Sequence, residues 1–250
     1  MNRTWFRRFG PALEGGIRLV CFPHAGASAT AYLGLSRSLA DSRGLDVLAV
    51  QYPGRQDRRQ EQPLRTIDEL ARSIADEFAP FTDRPYSFFG HSMGAVVAYE
   101  TTRRLLERRL PGPERLFLSG RGAPGPRPSA HDRLDSDAEI LAAVRRLGGT
   151  GSALLDDPEL LDMVLPALRA DYGALARYTT DAAEPLPVPL TALVGDADPV
   201  VPVDTATAWR ARTSRDFALN VFTGGHFYLD AHPAEVAAVI ASSLLTGSTP

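Results

Sequence analysis

Apolar positions along the chain alternate between two spacings. Near-continuous apolar runs occur at Ile17–Phe22, Val47–Gln51, Ser87–Phe89, Leu116–Ser119, Leu190–Val194 and Phe217–Phe222. Their length and lack of polar interruption predict strands buried on both faces. Helical spacing fills most of the intervals, at Ala31–Ala40, Ile67–Phe81, Ala95–Arg109, Val203–Arg212 and Pro233–Leu245. Strands alternating with helices predict an α/β domain, a mostly parallel sheet with helices on both faces. Sites in such sheets lie at the carboxyl ends of the strands.

One stretch breaks the alternation. Between the strands at Leu116 and Leu190 there are two helical patterns and no strand. The first, about Asp137 to Arg146, opens with Ser136 and Glu139 spaced as a capping box. The second opens with Asp157-Pro158, a cap residue followed by proline at the first helical position, and runs to about Tyr178. Leu160, Leu161, Val164, Leu165, Leu168 and Leu175 give it an apolar stripe. We read residues 123–183 as a helical lid inserted within a single domain spanning 1–250, although an excursion packed elsewhere with no gating role gives the same pattern. Gly122-Ala-Pro-Gly-Pro-Arg-Pro128 and Glu184-Pro-Leu-Pro-Val-Pro189 are its expected connections.

At 250 residues the chain suffices for one large core. A net charge of −3 gives no sign of nucleic-acid binding, and no segment reaches the length of a membrane span. The arginines near the N-terminus lack the apolar stretch of a signal peptide behind them. The one cysteine, Cys21, lies inside a predicted strand and is read as a core residue. It allows no internal disulfide and fits a reducing compartment, so a cytoplasmic location is expected.

The chemistry concentrates in three places. Gly90-His91-Ser92-Met93-Gly94 lies between a strand and a helix, where a nucleophilic serine on a sharp turn needs glycines for close backbone approach. The pattern alone is weak. It gains weight from Gly195-Asp-Ala-Asp-Pro199 after the fifth strand and Thr223-Gly-Gly-His-Phe-Tyr228 after the sixth. The order Ser92, Asp198, His226 resembles that of the α/β-hydrolases. In that arrangement His226 takes the serine proton while Asp198 holds the imidazole in its tautomer. Asp196 competes with Asp198; Pro199 suits a chain-redirecting turn and favours Asp198, leaving Asp196 to stabilise the turn. Backbone donors for an oxyanion are expected at Met93 and, in the loop Phe22-Pro-His-Ala-Gly-Ala27, at Ala25. No metal and no organic cofactor is required.

Of the other histidines, His91 is expected to leave the elbow in another direction, and His24 to shape the oxyanion loop. His131 and His232 are read as solvated or capping. Arg55, Arg58 and Arg59 are read either as a solvated loop or as contacts to an anionic group. Arg103, Arg104, Arg108 and Arg109 suit a helix C-terminus.

Taken together, Phe22-Pro-His-Ala-Gly-Ala27, Tyr52-Pro-Gly-Arg55, Phe89-Gly-His-Ser-Met-Gly-Ala95, Gly195-Asp-Ala-Asp-Pro199 and Gly224-Gly-His-Phe-Tyr228 resemble the type II thioesterases, stand-alone partners of polyketide and nonribosomal peptide synthases. The resemblance covers nearly the whole chain and implies an α/β-hydrolase fold. It also implies hydrolysis of acyl groups from the phosphopantetheine arm of acyl or peptidyl carrier proteins, freeing stalled or misprimed carriers. It places the triad at Ser92, Asp198 and His226 and the oxyanion donors at Ala25 and Met93. Ala27 departs from the family, which often has glycine there. A carboxylesterase acting on small esters, or an acyltransferase, would use the same triad.

Overall fold

The computed structural model describes residues 5–10, 13, 15–40, 44–148, 157–180 and 184–245. Seven strands form one sheet: β1 (Phe6–Arg8), β2 (Ile17–Phe22), β3 (Leu45–Val50), β4 (Tyr86–His91), β5 (Leu116–Ser119), β6 (Leu190–Gly195) and β7 (Phe217–Phe222). Their spatial order is β1-β3-β2-β4-β5-β6-β7. All neighbours are parallel except β1 against β3. This is the mostly parallel sheet expected from the sequence.

Alternate residues of the central strands feed two cores. Leu19, Cys21, Phe89 and Phe117 point to one face, beneath α1 (Leu33–Leu39) and α8 (Pro233–Leu245). Val20, Phe22, Phe88 and Leu118 point to the other, beneath α2 (Ile67–Phe78) and α3 (Met93–Glu107). Both faces are covered, so the strands carry no polar face. Cys21 is fully buried.

Several elements differ from the sequence reading at their ends, where backbone hydrogen bonding tightens to 3₁₀ turns at Ala29–Tyr32, Ala79–Phe81 and Ala208–Arg212. The last of these shortens the predicted helix to α6 (Val203–Thr207). The edge strand β1 was not anticipated, because two of its three residues are arginines. Arg7 pairs with Asp57, and Arg8 donates to both Asp46 carboxylate oxygens at 2.8 Å. Phe6 anchors the strand, its ring centroid 5.8 Å from that of Phe78. Burial of such a ring stabilises by roughly 1.5–3 kcal/mol.

The interruption between β5 and β6 contains α4 (Asp137–Leu147) and α5 (Pro158–Arg177). The Ser136 hydroxyl accepts the Glu139 amide, and the Asp157 carboxylate accepts the amides of Glu159 and Leu160. These are the predicted caps, and each satisfies amides that lack an intrahelical acceptor. α5 is buried only from its middle onward, at Ala167, Leu168, Asp171, Tyr172, Ala174 and Leu175. Met163, in the first half, is 60% exposed. Residues 149–156 and 181–183 of the predicted insertion lie outside the described residues.

Candidate active site

The elbow is built by what its neighbours exclude. Ser92 has φ 54° and ψ −117°, a left-handed conformation that a side chain adopts at a cost of roughly 1–3 kcal/mol. Its amide donates to the Ser119 carbonyl at 2.8 Å, tying the turn to β5. A Cβ on Gly90 would overlap the Gly94 carbonyl, and one on Gly94 would overlap the Phe22 carbonyl at the end of β2. Only glycine at both positions lets β4, α3 and β2 approach this closely. Met93 opens α3, so its amide is among those without an intrahelical acceptor, while its side chain is fully buried packing.

Asp198 and His226 are brought together by two turns stitched to one another. The Asp196 amide donates to Phe222 O at 2.8 Å and the Ala197 amide to Gly224 O at 2.9 Å. A Cβ on Gly195 would overlap the Gly224 and Gly225 carbonyls. The Asp196 carboxylate accepts the Gly224 amide at 2.9 Å and is spent on this stitching. Asp198 turns inward. Its Oδ1 accepts the amides of Val200 (2.9 Å) and Val201 (3.1 Å), and its Oδ2 lies 2.8 Å from His226 Nδ1. That pairing requires the proton on Nδ1, which leaves Nε2 as the basic nitrogen. Nε2 is buried with no hydrogen-bond partner among the described residues.

Ser92, His226 and Ala25 line one cavity of about 250 Å³. Its other walls include Ala143, Arg146 and Leu147 of α4 and Tyr172 of α5. The Ala25 amide, in the loop after β2, donates to no acceptor among the described residues. Such a site can form a covalent serine adduct and supply amides to the developing oxyanion. No cluster of three metal-binding side chains exists among the described residues.

The other histidines fall in unequal places. His91 turns away from the elbow, as expected, but packs its ring against His226 with centroids 4.9 Å apart. Its Nδ1 lies 2.8 Å from Ser119 Oγ, which in turn lies 2.6 Å from the Tyr228 hydroxyl. His24 stacks edge-on against Phe227. Burial, aided by the proximity of His226 and Arg55, pushes His24 from its ordinary 6.5 down to about 3. Burial, then His226 and His24, likewise hold His91 well below its ordinary value. Between pH 6.5 and about 3 the unfolded chain therefore binds more protons at these rings than the folded one. Stability is expected to fall as the pH drops through that window, by at most about 1.4 kcal/mol per pH unit for each ring. Urea midpoints at pH 7.5 and 5 check this, and His91→Asn is expected to flatten the dependence.

Of the arginines after β3, Arg59 is exposed, as a solvated loop requires, whereas Arg55 and Arg58 are buried. Arg58 is buried, donates to Gln51 O and Glu61, and lies 4.3 Å from the Trp5 ring centroid. Arg55 is buried against Asp171 of α5. Asp171 was not singled out from the sequence, since its partner stands 116 residues away. His232 pairs with Glu235 on the surface, and His131 lies exposed at the cavity wall.

Comparison with known proteins places the chain in a family. The thioesterase domain family matches residues 17–244. Thioesterase PikA5 of Streptomyces venezuelae is 44% identical over 242 residues, covering 96% of this chain and 85% of that protein. Among solved structures, the type II thioesterase BorB from the borrelidin biosynthetic cluster superposes with a TM-score of 0.87 at 43% identity, covering 96% of this chain and 98% of its own. YbtT, a type II thioesterase from the yersiniabactin NRPS/PKS pathway, gives a TM-score of 0.85 at 31% identity, covering 98% of this chain and all of its own.

Proposed function

The chain belongs to the thioesterase domain family and is a hydrolase of the α/β-hydrolase fold acting on thioesters, of the type II kind found in polyketide and nonribosomal peptide pathways; from that membership and the cavity at Ser92 we propose that it removes acyl groups from the phosphopantetheine arms of acyl or peptidyl carrier proteins, freeing stalled or misprimed carriers in the cytoplasm. The observation that carries the mechanism is the shared cavity: Ser92 held at φ 54° and His226, paired through Nδ1 with Asp198 and with Nε2 unpartnered among the described residues, line the same space.

In this mechanism Ser92 Oγ attacks the thioester carbonyl as His226 Nε2 takes its proton. The amides of Ala25 and Met93 receive the oxyanion. Collapse breaks the C–S bond, and His226 returns the proton to the departing sulfur. Water then attacks the acyl-serine, giving its proton to His226, and the free acid leaves with Ser92 restored. Asp198 stabilises the imidazolium formed in each half. His24 and His91, held neutral by burial, add no opposing charge beside it.

The excursion carrying α4 and α5 acts as the lid. Its Tyr172 and Leu147 wall the cavity, and Arg146 and Arg127 stand exposed at its edge with no carboxylate partner among the described residues. A cationic rim suits the phosphodiester of the arm, which an ordinary ester lacks.

The test compares acyl-loaded carrier protein with the same acyl group on a phosphate-free thioester and on a matched oxygen ester. Faster release from the carrier supports the proposal, and a strong preference for the oxygen ester overturns it. Arg127→Ala with Arg146→Ala is expected to raise KM for the carrier by about tenfold more than for the phosphate-free thioester, the loss of a charge-assisted contact.

A further inference from the structure

The lid touches the loop after β2 through one buried carboxylate. Asp171 on α5 is 1% exposed. Its Oδ2 accepts the Gly26 amide at 2.7 Å and also pairs with the Arg55 guanidinium. Arg55 is itself buried, donates to Pro53 O at 2.9 Å, and lies 4.9 Å from the Tyr52 ring centroid. The Tyr52 hydroxyl donates to Pro23 O at 3.2 Å. Leu168, one turn before Asp171, presses on Gly26, which has φ 75° and no room for a Cβ.

These contacts grip the loop on both sides of the oxyanion turn. Asp171 fixes the Gly26 N–H, and therefore the planar peptide that Ala25 and Gly26 share. On the other side the Ala27 amide donates to the His24 carbonyl at 3.1 Å, in the peptide that carries the Ala25 N–H, and Tyr52 holds the Pro23 carbonyl one peptide further back. A buried ion pair is weak grounds for stability, because apolar residues of similar volume often replace one without loss. A carboxylate shared between a fixed cation and one backbone amide does what an apolar pair cannot: it sets a direction.

The geometry points to Asp171 as a positioning residue of the oxyanion hole, with the Arg55–Asp171 pair making order in the hole and seating of the lid a single event. This rests on the serine-hydrolase reading above. If α5 lifts, Gly26 loses its acceptor and Arg55 loses its counter-charge together, so the Ala25 amide is set only beneath a closed lid.

The decisive variant is the double replacement Arg55→Met with Asp171→Leu, which removes both charges and keeps the volume. It is expected to retain the wild-type unfolding midpoint closely while kcat falls about 10- to 100-fold with KM within about twofold. Affinity for a trifluoromethyl ketone, which forms the tetrahedral serine adduct, is expected to fall by the same factor. Affinity for a non-hydrolysable thioether of the same acyl arm is expected to hold. Recovery of kcat along with stability, or equal movement of kcat and KM, would overturn the proposal. If the double variant does not fold, Asp171→Asn decides: a kcat loss of about tenfold at unchanged KM supports it, and an unchanged kcat overturns it. Ser92→Ala runs beside these variants. Turnover surviving in that protein sinks the serine reading itself, whereas its loss with an unaffected Asp171 series sinks only the positioning role.

Discussion

Ser92→Ala is expected to lower kcat by about 10⁵- to 10⁶-fold while leaving the fold intact. The alanine keeps the Cβ that position 92 already accommodates at φ 54°, so the turn and its hydrogen bond to Ser119 persist. What disappears is the oxygen that forms the acyl intermediate. Turnover in that variant falls to what the oxyanion amides and substrate binding supply alone, roughly 10³- to 10⁴-fold above water. Asp198→Asn removes no nucleophile but sets the wrong tautomer on His226, and about 10⁴-fold is expected there. Single-turnover acyl release, read with mass spectrometry of the acyl-serine, checks both. A Ser92→Ala protein that still accumulates acyl-enzyme would place the nucleophile elsewhere.

The largest expected effect on stability is at Gly94. A methyl group there would overlap the Phe22 carbonyl and stand 2.8 Å from the Pro23 carbonyl. Those atoms are backbone at the end of a central strand, hydrogen-bonded to its neighbours and unable to yield as a side chain would. Gly94→Ala is expected to cost more than about 4 kcal/mol, in the range reserved for severe core disruption. The urea midpoint is then expected to fall by more than about 1 M. Gly34→Ala is the control. It lies in α1 with open space around its Cβ position, and helix propensity alone predicts a gain of up to about 1 kcal/mol. Equal midpoints for the two variants would mean that close approach at the elbow is not what Gly94 provides.

The sheet was legible in the sequence because strands buried on both faces leave uninterrupted apolar runs, as at Ile17–Phe22 and Leu190–Gly195. β1 was not, since its arginines read as surface until Asp46 and Asp57 are seen beside them. α7 (Tyr228–Ala231) is only four residues long and leaves no periodicity to find. At the site, local spacing placed Ser92, Asp198 and His226 after strands, and the structure brings Asp198, not Asp196, to the imidazole. The ring of His91 against His226, and the Asp171 contact to Gly26, depend on pairs far apart in sequence. No local pattern encodes those.

The division of labour around the cavity also bears on how such an enzyme diversifies. Positions 90 to 94 have little slack: a Cβ on either glycine would overlap backbone atoms on both sides of the strained serine. The wall supplied by α4 and α5 is different. Ala143, Leu147 and Tyr172 reach the cavity from helices whose outer turns are largely exposed, so substitutions there reshape the cavity without disturbing the strand ends that carry Ser92, Asp198 and His226. New specificities can therefore arise by drift in one insertion while the chemistry is inherited unchanged, provided Asp171 and Leu168 keep that insertion moored to the loop after β2.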